Sequence, residues 1–225
     1  MIRNAQYWAN WIRQVNIPDF QAFSECLERR ILPTFSMIDD EASRVADETH
    51  ERLGMVATEY TDPGDVADHA RDAGLRYFET MKGVEQAVVN LFTAACYHLF
   101  EQQLLLIYRQ EWRGFGRTDQ GKPVGLQDVR GGFSDEGIDL DRLEAWDTID
   151  ELRLVANVVK HAEGRSADEL RQRNPRLFIH SDPLLDKMLG ERRRPGRWLY
   201  QPLIGEDFYV GIDDYHRYVM GDVVD

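Results

Sequence analysis

Apolar residues that recur at helical spacing over most of this chain narrow its folding options more than any other feature. From Phe20 to Leu53 they place Phe23, Leu27, Ile31, Phe35 and Ile38 on one ridge. Pro33 lies inside that run and should kink or split it, because proline lacks the N–H that a continuous helix needs. Asp62 followed by Pro63 is a helix start, with the aspartate as N-cap and the proline at the first helical position. The pattern then continues to about Trp112, with Gly74 and Gly83 as the points where it could break. Two long helices joined by a short connection should pack antiparallel.

With 225 residues, 43% of them hydrophobic, the chain can bury a core without covalent staples. Cys26 and Cys96 have neither redox nor zinc spacing and read as ordinary thiols of a reducing compartment, Cys96 as part of an apolar helix core. The first residues lack an apolar signal core, and the longest apolar run, Leu104 to Tyr108, is too short to cross a bilayer. A cytoplasmic protein with no membrane partner is expected.

Seven glycines between Gly114 and Gly137 read as a long exposed connection, either a functional loop or an insertion. Beyond it, Thr148 and Glu151 have capping-box spacing for a helix that Gly164 is placed to end. Ser166 and Glu169 repeat the device for a short helix stopping before Asn174 and Pro175. Trp198 to Ile204 and Asp207 to Ile212 flank Gly205 and Glu206 as a small hairpin, before a last helix from Asp213. The expected class is all-α: an antiparallel helical bundle with a small C-terminal β-hairpin. Its expected division is a helical bundle over 1–165, with a Gly-rich loop at 114–137, and a basic helical and hairpin appendage over 166–225.

The helix expected after Thr148 holds the best candidate site. Arg153, Asn157 and His161 stand four residues apart, so a cation, an amide and an imidazole share one face. Leu152, Val155, Ala156, Val158 and Val159 cover its other sides, so a polar stripe lies on a packed helix. The net charge of −13 argues against a general nucleic-acid coat. Residues 153–197, however, carry eleven basic against six acidic side chains, a net of +5 that leaves −18 for the remainder. A local anion site is therefore allowed where the polar stripe lies; the plainer alternative is a solvated basic surface.

A helical bundle whose late helix carries Arg153, then Asn157, then His161 near its end resembles the HEPN superfamily, over roughly residues 20–165. Arg153 stands farther from His161 than the family's pair does. The resemblance implies a metal-independent endoribonuclease of a toxin or phage-defence system. It would act as a homodimer on RNA beside an antitoxin or defence-complex protein, with no cofactor and no metal. In that reading His161 is the acid or base, since its ordinary pKa lies near neutrality. Arg153 and Lys160 hold the phosphate, and Asn157 orients it or the imidazole. Arg165, Arg192, Arg193 and Arg194 extend the RNA-binding surface.

Two other readings stay open. One is a catalytically inactive module that binds RNA or a protein partner, in which Glu151 and Arg153 pair with neighbouring helices and His161 caps a helix C-terminus. The other is a metal-binding helical enzyme built on Asp47 with His50, Asp65 with His69, and His98 with Glu101.

Overall fold

Two prolines set the irregular course of the N-terminal helices. In the computed structural model, which describes residues 4–113, 124–178, 208 and 210–220, α1 (Ala5–Trp11) passes through a π-turn at Ile12–Asn16 into α2 (Ile17–Cys26). A second π-turn, Leu27–Ile31, leads into a 3-10 turn at Leu32–Phe35. Each wide turn precedes a proline, Pro18 or Pro33, whose ring and missing N–H exclude the regular bond to the preceding turn. The apolar ridge is thus split at Pro33.

The chain forms two compact units. Of the described residues, one unit comprises 25–88 and the other 4–24, 89–113, 124–178, 208 and 210–220. In the first, α3 (Ile38–Met55) and the start of α4 (Pro63–Tyr108) run antiparallel, with Glu41 opposite Tyr77 and Ala42 opposite Gly74. Asp62 caps α4 as expected, accepting the Gly64 N–H at 2.7 Å. Gly74 and Gly83 do not break α4. At Gly74 the glycine serves packing, since a Cβ there would stand 2.8 Å from the Ala42 carbonyl oxygen. The Tyr77 hydroxyl donates to Glu41 at 2.7 Å just beyond that contact.

In the second unit the Gly-rich stretch departs from the expected loop. Residues 114–123 lie outside the described residues, but α5 (Leu126–Asp135) is a helix containing Gly131 and Gly132. Its start is stabilised by Asp128, whose side chain accepts the Gly125 N–H at 2.8 Å. Val129 is fully buried, and Gly132 faces the rings of Tyr108 and Trp112 so closely that a Cβ would meet Tyr108 at 2.7 Å. Glycine is needed there for close approach rather than for chain freedom.

Helix α6 (Trp146–His161) begins two residues before Thr148, with Ala145 as N-cap and no side-chain cap. The expected capping box is therefore absent: buried Trp146 anchors the start, and Glu151 is used elsewhere. Helix α7 (Arg165–Arg173) has the expected extent, but Gly164, at φ +124°, is its N-cap, and Ser166 lies inside the helix. Leu154, Val155 and Leu170 are fully buried where α6 meets α7. After the 3-10 turn Pro175–Leu177, Phe178 forms an isolated antiparallel bridge with Phe208, and α8 (Ile212–Met220) follows. Residues 198–207 and 209 of the expected hairpin lie outside the described residues, among which there is no strand. The class is all-α. Among the described residues no helix is long and apolar enough to cross a membrane.

Candidate functional site

Helix α6 presents two polar faces with different duties. On the inner side Glu151, only 8% exposed, is the hub of a buried cluster. Its Oε1 accepts from Asn174 Nδ2 at 2.9 Å, from an Arg217 guanidinium N–H at 2.5 Å and from the Tyr218 hydroxyl at 2.5 Å. Burial works to raise the Glu151 pKa, but the bonds from Tyr218, Asn174 and Arg217 outweigh it and hold the carboxylate below its ordinary value. Burial, reinforced by Glu151, drives the Tyr218 pKa upward, so this hydroxyl stays a donor. The cluster fastens α8 and Asn174 to α6.

The outer face lines a cavity of about 640 Å³. Tyr97, His98 and Glu101 of α4 and Leu126, Gln127 and Arg130 of α5 form part of its wall. Asp150, Arg153, Asn157 and Lys160 of α6, with Arg165, Ser166 and Glu169 of α7, complete it. The α6 residues stand at i, i+3, i+7 and i+10, one helical stripe. Four cations (Arg130, Arg153, Lys160, Arg165) face three carboxylates (Glu101, Asp150, Glu169), a net of +1 on the wall of a chain whose total is −13.

The cations are not equivalent. Arg130 pairs with Asp141 and lies over the Trp146 ring at 5.5 Å. Arg153 donates through Nε to Asp150 at 2.8 Å, and Arg173 donates to the other Asp150 oxygen at 2.9 Å. Burial tends to raise the Asp150 pKa, yet the hydrogen bonds and charges of Arg153 and Arg173 hold it below the ordinary value. Burial lowers that of Arg153, and Asp150 more than reverses this. Lys160 and Arg165 have no carboxylate partner among the described residues. Arg165 opens α7, so its cation and the first N–H groups of that helix add positive potential at the Lys160 end of the cavity. Tyr97, 5% exposed, has its pKa pushed up to about 12 by burial and then by Glu101, so its hydroxyl stays protonated at neutral pH.

Arg153, Asn157, Lys160 and Arg165 therefore meet in one cavity, but His161 does not join its wall. It is the exposed last residue of α6 and has no side-chain partner among the described residues. Ala162 follows at φ +59°, ψ −67°, and the Glu163 N–H closes a tight turn on the His161 carbonyl at 2.8 Å. Arg192, Arg193 and Arg194 lie outside the described residues. Tyr97, Arg130 and Ser166 also line the wall although no sequence pattern marks them for this site, and His98 and Glu101, whose spacing suggests metal ligands, line it too. The imidazole of His98 instead stands 3.6 Å from Glu101, and His69 contacts the Asp65 backbone carbonyl rather than its carboxylate. No group of three or more His, Cys, Asp or Glu suited to a metal occurs among the described residues. Buried Cys96, its thiol pKa raised to about 12 by burial, is a core residue.

Comparison with family models, with curated proteins and with solved structures finds no match to this chain.

Proposed function

We propose that this chain acts on RNA, binding a strand phosphate at the Lys160 and Arg165 end of the α6 cavity and cleaving the strand without a metal. The observation that carries this reading is the pair of cations without carboxylate partners among the described residues, set beside Asn157 and the N-terminus of α7 in an otherwise acidic chain. His161, exposed one residue beyond Lys160 and off the cavity wall, would act as acid or base on the part of the strand that runs past the end of α6. The resemblance of Arg153, Asn157 and His161 to the HEPN pattern suggests the setting: a toxin or phage-defence system, a homodimer and an antitoxin or defence-complex partner. Two copies meeting near the C-terminal end of α6 would bring one chain's His161 toward the other's cavity.

A second reading has its own support. Arg153 is held by Asp150, and His161 stands off the cavity wall, an arrangement better suited to holding RNA than to cutting it.

Binding of a fluorescent 2′-O-methyl oligouridylate tests what both readings share. Affinity should fall steeply with salt, and Lys160→Ala should weaken binding and lower the slope of log affinity against log salt by about one. Unchanged affinity and slope in both Lys160→Ala and Arg165→Ala would remove the cavity from the account.

A further inference from the structure

We infer that Arg173, which does not line the cavity, positions Arg153 for an incoming phosphate by sharing Asp150 with it. This rests on the phosphate-binding reading of the cavity and concerns how its most confined cation becomes available. The Asp150 carboxylate is divided between two guanidinium groups, Oδ1 taking Arg153 Nε at 2.8 Å and Oδ2 taking Arg173 Nη1 at 2.9 Å. Arg173 is held independently of Asp150, since its Nη2 donates to the Asp147 carbonyl at 2.6 Å and its Nε lies 3.7 Å from Glu151. Taken alone, Asp150, Arg153 and Arg173 carry a net charge of +1, and the Asp147 and Glu151 carboxylates, 3.8 and 3.7 Å from Arg173, are further anchors, among these three, for Arg173 only.

When a phosphate draws Arg153 away, Asp150 keeps Arg173 and is not left as a bare carboxylate in a wall where its side chain is only 28% exposed. Without Arg173, Asp150 and Arg153 would form a closed neutral pair, and moving Arg153 would strand the carboxylate. The upward shift of the Arg153 pKa and the downward shift of the Asp150 pKa agree with a carboxylate in close contact with cations.

Phenylglyoxal, which attacks free guanidinium groups, reads the availability of Arg153 without any RNA, with the adduct located by peptide mass spectrometry. Arg173→Gln should slow labelling at Arg153 by about two- to fivefold, the range set by a partly exposed ion pair. Asp150→Asn should speed it, and the double variant should match Asp150→Asn, a reversal that a merely structural role for Arg173 would not give. Arg173→Lys, which keeps the charge, should stay near the parental rate. Unchanged labelling in Arg173→Gln, or a double variant as slow as that single one, overturns the inference. If Arg173→Gln does not fold, Asp150→Asn decides alone: labelling must rise at both Arg153 and Arg173, and no rise at Arg153 overturns it. The same variants, scored with the 2′-O-methyl oligouridylate, should rank in the same order for affinity. A parent that binds none of this RNA removes the proposed function, while the labelling rates still decide the role of Arg173.

Discussion

Tyr218 donates its hydroxyl to Glu151 across 2.5 Å and 67 residues of chain, fixing the last described helix to the back of the helix whose front lines the cavity. Glu151 is buried and receives two further donors. Removing it strands Arg217, Asn174 and Tyr218 together. Glu151→Ala should cost about 3 kcal/mol of unfolding free energy in urea, and Tyr218→Phe about 1 kcal/mol. A loss below about 0.5 kcal/mol for Glu151→Ala, the range of ordinary surface substitutions, would mean that the cluster does not hold α8.

The same carboxylate should shape acid stability. Its folded pKa lies below the ordinary 4.5, so its contribution is present above that value and is lost as pH falls through the lowered folded value. Asp150, held below its ordinary 3.8, adds a second loss as pH falls through its own lowered value. Stability measured by urea titration should fall with acid below pH 4.5 in the parent and less steeply in Glu151→Gln. Parallel curves for the two proteins would contradict this assignment.

Neighbouring glycines of α5 should respond in opposite directions to alanine. Gly131 has open space where a Cβ would go, so Gly131→Ala should stabilise by about 1 kcal/mol through helix propensity. Gly132 faces Tyr108 at 2.7 Å from an added Cβ, and Gly132→Ala should destabilise by about 1–3 kcal/mol. Equal shifts in a thermal melt would show that Gly132 is not packed against Tyr108.

The turn after His161 holds an alanine where glycine is at ease. With φ +59° at Ala162, Ala162→Gly should raise stability by about 1 kcal/mol, and Ala162→Val should lower it. A loss on Ala162→Gly would show that the turn is not strained.

These contrasts also mark what could be read from the sequence. The Asp62 cap, the split at Pro33 and the α3 and α4 helices depend on local backbone chemistry, and they were legible for that reason. The glycines of α5 were misleading, because composition cannot reveal Tyr108 and Trp112 standing over Gly132. Arg153 and Asn157 do share a helical stripe, but it runs through Asp150 and Lys160 and leaves His161 aside. The i,i+3 spacing of Asp150 and Arg153 already allowed their ion pair. His98, Arg130 and Arg165 reach the same cavity from three other helices, which no single-helix pattern could show. Glu151 had the spacing of a cap and became a hub, because the donors that claim it arrive from residues 174, 217 and 218.

Cleavage of RNA in the presence of EDTA decides whether this cavity belongs to a nuclease. The purified protein should cut a single-stranded RNA under chelation, leave a 2′,3′-cyclic phosphate, and lose at least about a hundredfold in rate in His161→Ala, the scale of a missing general acid or base. Lys160→Ala should also slow the cut by weakening the hold on the phosphate. RNA that stays intact with the parent protein, or a His161→Ala variant that cuts at the parental rate, would contradict the account and leave the chain as a binding module.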